Sequence, residues 1–454
     1  DALFINQGDG TFAEESKAWG VGVQQRSAGV AVGDYDNDGW LDIFVTTHGL
    51  TQTMAAGHHR LYHNNQNGTF TDMAQMAGVN RSSPLWPDGF GATFGDYDLD
   101  GYLDLFVTGW QPGDDGNRLY HNNRNGTFTD VTDIAGDFNT GLRGFSPCFV
   151  DMNGDRYPEL LVSGDYSTSR YYINNRNGAF TEQSGPAGVR VPMFGMGSAI
   201  GDFNHDGLFD WYITSIYQPD SFGGAGNHLF INQGNHRFID QAVAAGVDNG
   251  GWGWGTIGVD LNHDGWLDIV ETNGWSLQLP FYNQPARVWL NQDGQHFTEA
   301  ASAVGLIYRQ SGRGLLNFDY DNDGDQDIVI TSNNDKLALF RNDLAGPATN
   351  WLRVFLDTSH APNLAPNGIG ARIQIRVGNA LYVQTIKACS NYLSQSELSA
   401  HFGLGRATLV DEVRVEWSDG QVTSLTNVPA NQTLTLSPLA RLHLPIISAG
   451  KLHP

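Results

Sequence analysis

Six short segments of the chain place acidic side chains at alternate positions, with a further acid four residues beyond. These segments are residues 34–42, 96–104, 151–159, 202–210, 260–268 and 319–327. Carboxylates with this spacing would repel one another along a strand, whereas in a tight loop they converge and supply the oxygen ligands that Ca²⁺ requires. Six copies of the pattern predict five or six structural calcium ions.

The predicted roles follow from position within each nine-residue loop. The first, third, fifth and ninth residues offer side-chain oxygens, the seventh offers a backbone carbonyl, and a glycine at the sixth position allows the turn. An EF-hand is excluded, because it needs a glutamate at position 12 and a helix on each side. In the third loop Arg156 replaces the glycine and Glu159 is the last acid, so the occupancy of that loop stays open. The expected ligands are Asp34, Asp36, Asp38, Trp40, Asp42, Asp96, Asp98, Asp100, Tyr102, Asp104, Asp151, Asn153, Asp155, Tyr157, Glu159, Asp202, Asn204, Asp206, Leu208, Asp210, Asp260, Asn262, Asp264, Trp266, Asp268, Asp319, Asp321, Asp323, Asp325 and Asp327.

Each acidic loop lies inside a longer repeat that must hold it in place. In the clearest copy, residues 28–34, 41–47, 60–65 and 68–73 have the apolar and β-branched composition of four short strands. The third and fourth strands return at residues 119–130, 171–182, 229–240 and 288–299. Four-stranded units that repeat at this length are typical of propeller blades.

These units resemble FG-GAP or VCBS-type repeats, the blades of integrin-α-like propellers. Residues 350–438, with the segments NGIGARIQI, SNYLSQSE and HFGLG, resemble the ASPIC/UnbV domain that often follows such repeats in bacterial proteins and in the cartilage acidic protein family. At WSDG the family usually has Trp-Pro-Ser-Gly. The resemblance implies an all-β, calcium-loaded propeller at residues 1–343, a small β-sandwich-like domain at 350–438 and a C-terminal tail at 439–454.

The number of blades depends on the start of the chain. Residues 3–14 already read as a third and fourth strand, and no fourth strand follows residues 337–343. Seven blades with an incomplete first blade are favoured, and six are the alternative. Because an open sheet edge recruits strands from other chains, homo-assembly through this half-blade is a hypothesis.

Composition narrows the function classes. The formal charge is −24, 22 of the 49 acidic residues lie in the six loops, and no basic stripe is present, so nucleic acid is not an expected partner. No apolar run reaches the ~20 residues of a membrane span, and residue 1 does not begin a signal peptide. Calcium loops of modest affinity would be filled outside the cell, so an extracellular or cell-surface location is expected. Two free thiols are the default for Cys148 and Cys389, with an interdomain bridge as the alternative.

The long loops on the face opposite the acidic loops are the expected binding surface, which we call the top face. Aromatic rings stack on sugars or partner side chains, and arginines suit a carboxylate or sulfate. The candidate ligand-binding residues are Trp86, Trp110, Tyr217, Trp275, Arg26, Arg143 and Arg313. The same loops carry the rings of Trp252, Trp254, Phe281 and Tyr282. The alternatives are that several of these top-face rings, Trp252 and Trp254 in particular, fill the propeller channel or pack between blades, and that the arginines pair with neighbouring acids or loop carbonyls.

Catalysis has little support from the residues. His48, His58 and His59 share one top loop, which is expected to be exposed, and His58 and His59 are the candidate bases; His63 and His121 hold the same repeat position and are expected to be structural. No hydrolase, zinc-protease, redox or phosphate-loop motif occurs. The sequence favours an extracellular calcium-binding adhesion or interaction scaffold for a glycan or protein; the alternative is a calcium-dependent polysaccharide lyase or other carbohydrate-active enzyme.

Overall fold

The computed structural model describes residues 1–48, 57–83, 88–111, 116–191, 193–218, 224–275, 281–333, 335–344, 346 and 348–438. Its strands, in chain order, are β1 (Phe4–Asn6), β2 (Phe12–Glu14), β3 (Ser27–Gly33), β4 (Asp42–Thr47), β5 (Gly57–His58), β6 (Arg60–Asn64), β7 (Phe70–Asp72), β8 (Ser82–Ser83), β9 (Ala92–Gly95), β10 (Asp104–Val107), β11 (Arg118–Asn122), β12 (Phe128–Asp130), β13 (Gly144–Val150), β14 (Glu159–Gly164), β15 (Arg170–Asn174), β16 (Phe180–Glu182), β17 (Ser198–Gly201), β18 (Asp210–Ile213), β19 (Tyr217–Gln218), β20 (Gly224–Ala225), β21 (His228–Asn232), β22 (Phe238–Asp240), β23 (Gly253–Val259), β24 (Asp268–Asn273), β25 (Arg287–Asn291), β26 (Phe297–Glu299), β27 (Gly312–Phe318), β28 (Asp327–Ser332), β29 (Ala338–Phe340), β30 (Asn350–Leu356), β31 (Arg372–Val377), β32 (Ala380–Thr385), β33 (Ala400–Gly405), β34 (Leu409–Glu416), β35 (Val422–Pro429) and β36 (Gln432–Leu436).

Helical structure among these residues is limited to single turns. They are α1 (Ala74–Ala77), α2 (Thr132–Ala135), α3 (Ser184–Ala187), α4 (Ala242–Ala245) and a 3₁₀ turn at Pro366–Gly368. The four α-turns each follow a fourth strand and lead to the next blade. No helix within the described part of the chain has the length and hydropathy to cross a membrane.

The repeats form separate antiparallel sheets. Blade 1 is β3-β4-β6-β7, blade 2 is β9-β10-β11-β12, blade 3 is β13-β14-β15-β16, blade 4 is β17-β18-β21-β22 and blade 5 is β23-β24-β25-β26. Blade 6 has three strands, β27-β28-β29, and β1-β2 form a two-stranded half-blade. The interiors of these sheets are apolar; all seven residues of β13 are buried, for example. The expected propeller with an incomplete first blade is confirmed.

Asparagine side chains establish the order of the blades around the ring. The amide of Asn122 in blade 2 donates to the carbonyl of Tyr35 in the acidic loop of blade 1, at 2.8 Å. Equivalent bonds join Asn174 to Tyr97, Asn232 to Met152, Asn291 to Phe203 and Asn342 to Leu261. In the half-blade, Asn6 donates to the carbonyl of Tyr320 in blade 6 at 2.7 Å, and the amide of Phe70 in blade 1 donates to the carbonyl of Trp19 in the segment after β2. The half-blade therefore lies between blades 6 and 1, and the ring has seven positions.

The C-terminal domain is a sandwich of two sheets, β33-β30-β36 and β32-β31-β34-β35. Within each sheet the strands are antiparallel, except that β30 and β36 run parallel. Leu352 and Val354 of one sheet share a core with Ile373, Val413 and Val415 of the other, all fully buried. That core continues into blades 1 and 2, so the domain is packed on the propeller.

One segment of the C-terminal domain, residues 388–397, enters the central channel; we call it the plug. Its groups bond to the channel edges of the innermost strands, and the pairs are Ala388 with Thr93, Ser390 with Pro147, Asn391 with Thr256, Ser394 with Leu315 and Gln395 with Val32. These strands belong to blades 2, 3, 5, 6 and 1. The plug thereby pairs backbone polar groups that face the channel.

Cys148 of β13 and Cys389 of the plug form a disulfide bond across 241 residues of sequence. The default expectation of two free thiols was wrong, and the interdomain bridge is the state observed. The reason lies in the plug, which brings two residues from different domains into one buried position. Sequence spacing alone carries no sign of that insertion.

Candidate functional site

The six acidic loops share one backbone conformation built on their first and last acids. Both carboxylate oxygens of Asp34 accept hydrogen bonds, from the amides of Asp38 and Gly39, at 3.1 and 2.9 Å. The last acid, Asp42, accepts from the amide of Tyr35 inside the loop and from the amide of Asn64 on the third strand. The last acid therefore ties the loop to its own blade, and the sixth residue, Gly39, has a φ of 90° that favours glycine.

The third loop keeps this conformation despite its different sequence. Asp151 accepts from the amides of Asp155 and Arg156, as the first acid does elsewhere. Arg156 takes the left-handed position usually held by glycine, with φ of 78°, and its guanidinium donates to the carbonyl of Ser418 in the C-terminal domain at 3.3 Å. The contact with the domain offsets the cost of a non-glycine residue at this turn.

The acids of the loops meet one another closely enough to share a cation. In blade 1, carboxylate oxygens of Asp34, Asp36 and Asp38 lie within 4.8 Å of one another, and blade 2 has the equivalent group; in blade 6 the first, third and last acids, Asp319, Asp321 and Asp327, lie equally close. Burial raises the pKa of Asp34 to about 6 and that of Asp42 to about 8. Asp36 Oδ1 is buried without a hydrogen-bond partner.

These properties are those of a site that a divalent cation would complete. The donors within the groups of the first three acids are all oxygens, which suits Ca²⁺. The residues at the predicted ligand positions thus fit the ion.

Two histidines border these groups in blades 1 and 2. His63 Nδ1 lies 3.1 Å from Asp36 and 3.4 Å from Asp42, and His121 Nδ1 lies 3.2 Å from Asp104. Hydrogen bonding to Asp104 raises the pKa of His121 despite partial burial. Sequence reasoning expected a structural role at this repeat position; the structure places both rings on the acidic groups.

The acidic loops face the C-terminal domain. Arg353 donates to Asp319 in the loop of blade 6 at 2.6 Å, and the amide of Gly405 donates to the carbonyl of His263 in blade 5 at 2.8 Å. Arg372 donates to the carbonyl of Gly207 in blade 4. Because the domain covers this face of the ring, the opposite, top face is the one open to a large partner.

At the top, rings close the channel above the plug. Tyr392 of the plug packs on Phe145 and Trp254, with centroids 5.6 and 5.2 Å apart. Trp252 and Trp275 stack beside Trp254. Trp252 and Trp254 therefore pack in the channel, as the alternative interpretation of the sequence stated, and buried Phe281 packs with them.

Arg313 is held in the middle of these rings. Its guanidinium lies 3.9 Å from the ring centre of Trp254 and 5.3 Å from that of Trp275. Nη1 donates to the carbonyls of Gly274 and Gly312, whereas Nη2 is buried without a hydrogen-bond partner among the described residues. Burial lowers the pKa of Arg313 to about 10. The pairing of this arginine with loop carbonyls, rather than acids, agrees with one of the alternatives stated above.

A second arginine and its rings lie on the same face. The guanidinium of Arg143 lies over Trp110 at 4.5 Å and over Tyr166 at 5.4 Å. Trp110 Nε1 donates to Asp165 at 2.9 Å, which orients the indole. Tyr166 is more than half exposed and was not singled out from the sequence.

The other candidate ligand-binding residues are more dispersed. Arg26 is exposed at the start of blade 1, and Tyr217 is half-buried on β19, its amide donating to Gly251 O. Tyr282 is exposed. Trp86 lies outside the described residues.

The candidate catalytic histidines do not form a shared site. His59 is buried; its Nδ1 accepts a hydrogen bond from the amide of Thr47 at 3.2 Å and its ring packs on Phe44. Burial lowers the pKa of His59 to about 4. The expectation of an exposed loop was wrong for His59, because its position matches a buried polar residue in other blades, Asn117 and Asn227. His58 is exposed, and Nδ1 lies 3.4 Å from Asn80 O.

Sequence reasoning missed two sets of residues. The first is the series of asparagines at the end of the third strands, whose regular recurrence in the sequence was the available signal. The second is the plug, whose SNYLSQSE segment was noted only as a family feature.

Comparisons with known proteins agree with this architecture. The model of the FG-GAP-like repeat matches residues 1–45, 53–107, 96–162 and 151–213, and the ASPIC and UnbV model matches residues 361–441. Cartilage acidic protein 1 of Mus musculus is 26% identical, over 88% of this chain and 72% of its own length. The Homo sapiens protein is 25% identical, over 88% and 70%.

Among solved structures, an exotype rhamnogalacturonan lyase, YesX, aligns with a TM-score of 0.39 at 13% identity, over 90% of this chain and 73% of its own. A resemblance at this level carries no information about activity.

Proposed function

We propose that this chain, which belongs to the proteins built of FG-GAP-like repeats and an ASPIC and UnbV domain, is an extracellular interaction protein. Its top face binds an anionic polysaccharide. Calcium ions in the acidic loops have a structural role in this proposal. They neutralise the buried carboxylates and hold the loops against the C-terminal domain.

The observation that carries the proposal is the combination of guanidinium groups with aromatic rings on the top face. Arg143 lies over Trp110 and over the ring of Tyr166, which is 55% exposed. Nearby, the half-buried ring of Trp275 lies beside Arg313. Aromatic faces stack on sugar rings, and a uronate or sulfated sugar also offers charged oxygens to a guanidinium.

The position of the C-terminal domain supports the choice of face. The domain bonds to the acidic loops, and the disulfide of Cys148 with Cys389 attaches it covalently to the ring. The surface that remains is the one that carries the aromatic rings and arginines.

The test is retention of the protein on immobilised uronate-containing, sulfated and neutral polysaccharides in the presence of calcium, with the chain length of each glycan measured afterwards. We expect retention on the anionic glycans without shortening. Trp275→Ala should weaken it, whereas Arg406→Ala, which removes an exposed arginine of the C-terminal domain, should not. Shortening of the glycan would show that the protein is an enzyme. Equal retention of the two variants would show that the top face does not bind the glycan.

A further inference from the structure

The plug does not pair with the inner strand of blade 4. Blade 6 shows the regular arrangement, in which the amides of Leu315 and Asn317 donate to serine hydroxyls of the plug at 3.0 and 3.2 Å. The matching residues of blade 4 are Ser198 and Ile200 of β17, which hold the same positions relative to their acidic loop. No described group of the plug bonds to either residue. Their channel-facing backbone groups therefore lack the partners that the plug supplies elsewhere.

An interior cavity of about 70 Å³ lies at this place in the channel. Its walls are β17, the inner strand β23 of blade 5, part of blade 6 and the segment of the C-terminal domain that forms the plug and its flanks. Most side chains that the C-terminal domain contributes to the walls are polar. A polar cavity of this kind holds water or a ligand, whereas an apolar one stays empty.

Lys387 lines the cavity, one residue before the plug begins. Its ammonium group makes no hydrogen bond or ion pair with any residue that the structure describes. Burial lowers the pKa of Lys387 to about 8, and no neighbouring charge offsets that effect. A charge removed from water is costly unless an opposite charge lies beside it. Lys387 therefore lacks a counter-charge within the described part of the chain.

The two acids of the cavity wall are engaged elsewhere. Glu397 accepts a hydrogen bond from Ser399 at 2.6 Å and lies 3.8 Å from Arg353. Asp260 accepts from the amide of Gly265 at 2.8 Å and is an expected calcium ligand. Neither carboxylate forms an ion pair with Lys387, so the wall itself does not neutralise the ammonium group.

Gln326 of blade 6 adds an unpaired donor to the same wall. Its side chain is buried, with 1% exposed, and Nε2 has no hydrogen-bond partner in the described structure. The orientation of the amide is fixed, because Asn317 Nδ2 donates to Gln326 Oε1 at 2.7 Å and Ser396 Oγ donates to Asn317 Oδ1 at 2.8 Å. The group left without a partner is therefore the NH₂ group, which requires an acceptor.

We propose that this cavity binds one small monovalent anion, of the size of chloride, with Lys387 as its counter-charge and Gln326 and the backbone amides of β17 as further donors. One ammonium group balances one negative charge, which favours a monovalent ion over sulfate or phosphate. The bound ion would link the segment beside the plug to blade 4, with which the plug itself makes no described hydrogen bond. The proposal does not depend on the top face or on its ligand.

The first experiment locates the ion. Crystals of the full chain are grown with calcium and sodium bromide, and anomalous diffraction at the bromine edge identifies bound bromide. We expect a peak in the cavity in contact with Lys387 Nζ. Lys387→Met, which keeps the length of the side chain and removes its charge, should abolish the peak. Lys336→Met is the matched control, because Lys336 is exposed on the propeller surface, and it should keep the peak.

The second experiment measures the effect in solution. The melting temperature of each protein is recorded as chloride replaces the larger anion isethionate at constant ionic strength and constant calcium. An about tenfold excess of chloride over its Kd should raise the melting temperature of the parent chain and of Lys336→Met by about 2 °C. Lys387→Met should show no rise.

The parent chain alone can overturn the proposal, so the test does not depend on whether Lys387→Met folds. Absence of a bromide peak from the cavity would show that water fills it. A peak without a chloride-dependent melting temperature would indicate an adventitious ion only and would equally refute the proposal. A peak or a rise that persists in Lys387→Met would show that Lys387 is not the counter-charge.

Discussion

Replacement of His59 by asparagine tests the energetic cost of a buried neutral imidazole. The pKa of His59 is about 4, depressed from 6.5 by burial. The unfolded chain binds this proton with the ordinary pKa, so the unfolded state carries more protons between pH 6.5 and 4, and stability falls as the pH falls through that window. The fall of the pKa from 6.5 to about 4 corresponds to about 3 kcal/mol in the free energy of unfolding, of which about 2 kcal/mol is lost at pH 5.

Asn is a suitable replacement because the structure already uses it. Asn117 in blade 2 accepts the equivalent backbone hydrogen bond, from Gly109, at 3.1 Å. His59→Asn should therefore keep the bond to Thr47 while removing the titration. The new side chain also fits beside Gly89, which is packed against the ring of His59.

The assay is urea unfolding at pH 7.5 and pH 5.0 in constant calcium, followed by tryptophan fluorescence. The parent chain should lose about 2 kcal/mol more than His59→Asn between the two pH values. His58→Asn, which alters the exposed neighbour, should behave as the parent. A difference below about 0.5 kcal/mol between His59→Asn and the parent, within the error of such extrapolations, would refute the assignment of a buried neutral histidine.

Two further predictions concern the calcium loops and the plug. Chelation of calcium should lower the melting temperature, because each loop with a Kd of ~0.1 mM contributes about 2 kcal/mol of stability at 2 mM calcium. Scanning calorimetry with and without chelator measures the change. An unchanged melting temperature would contradict the calcium assignment. Gln395→Ala should destabilise the protein by about 1–3 kcal/mol, because it leaves both backbone groups of Val32 without partners. Gln421→Ala, whose side chain bonds only to the exposed Asp419, is the control, and equal melting temperatures would refute the role of the plug.

The repeats could be predicted from the sequence because their residues are close together along the chain. Each acidic loop and its strands occupy one continuous stretch, so spacing alone located the loops and the open half-blade. The plug could not be predicted in the same way, because Gln395 finds its partner, Val32, 363 residues away. The disulfide of Cys148 was misjudged for the same reason.

The candidate site likewise has a part that could be predicted from the sequence and a part that could not. The loop acids are neighbours in sequence, so their convergence was readable. The burial of His59 follows from a repeat position that holds buried polar residues in other blades, a signal that was overlooked. The position of Arg313 beside two tryptophans depends on contacts between loops of different blades. The repeat pattern of the sequence does not predict contacts of this kind. Whether an aromatic ring binds a ligand or packs inside the protein can be decided only from the three-dimensional structure.

The insertion of the plug has a consequence for synthesis. The ribosome makes the six blades before residue 388 exists, so the channel edges of their inner strands emerge with no partner. The nascent propeller is then a ring with an unfilled centre, and Cys148 remains a thiol until Cys389 leaves the ribosome. A chain that stops short of the C-terminal domain therefore leaves the channel edges of its inner strands, such as the backbone groups of Val32, without the partners that the plug supplies.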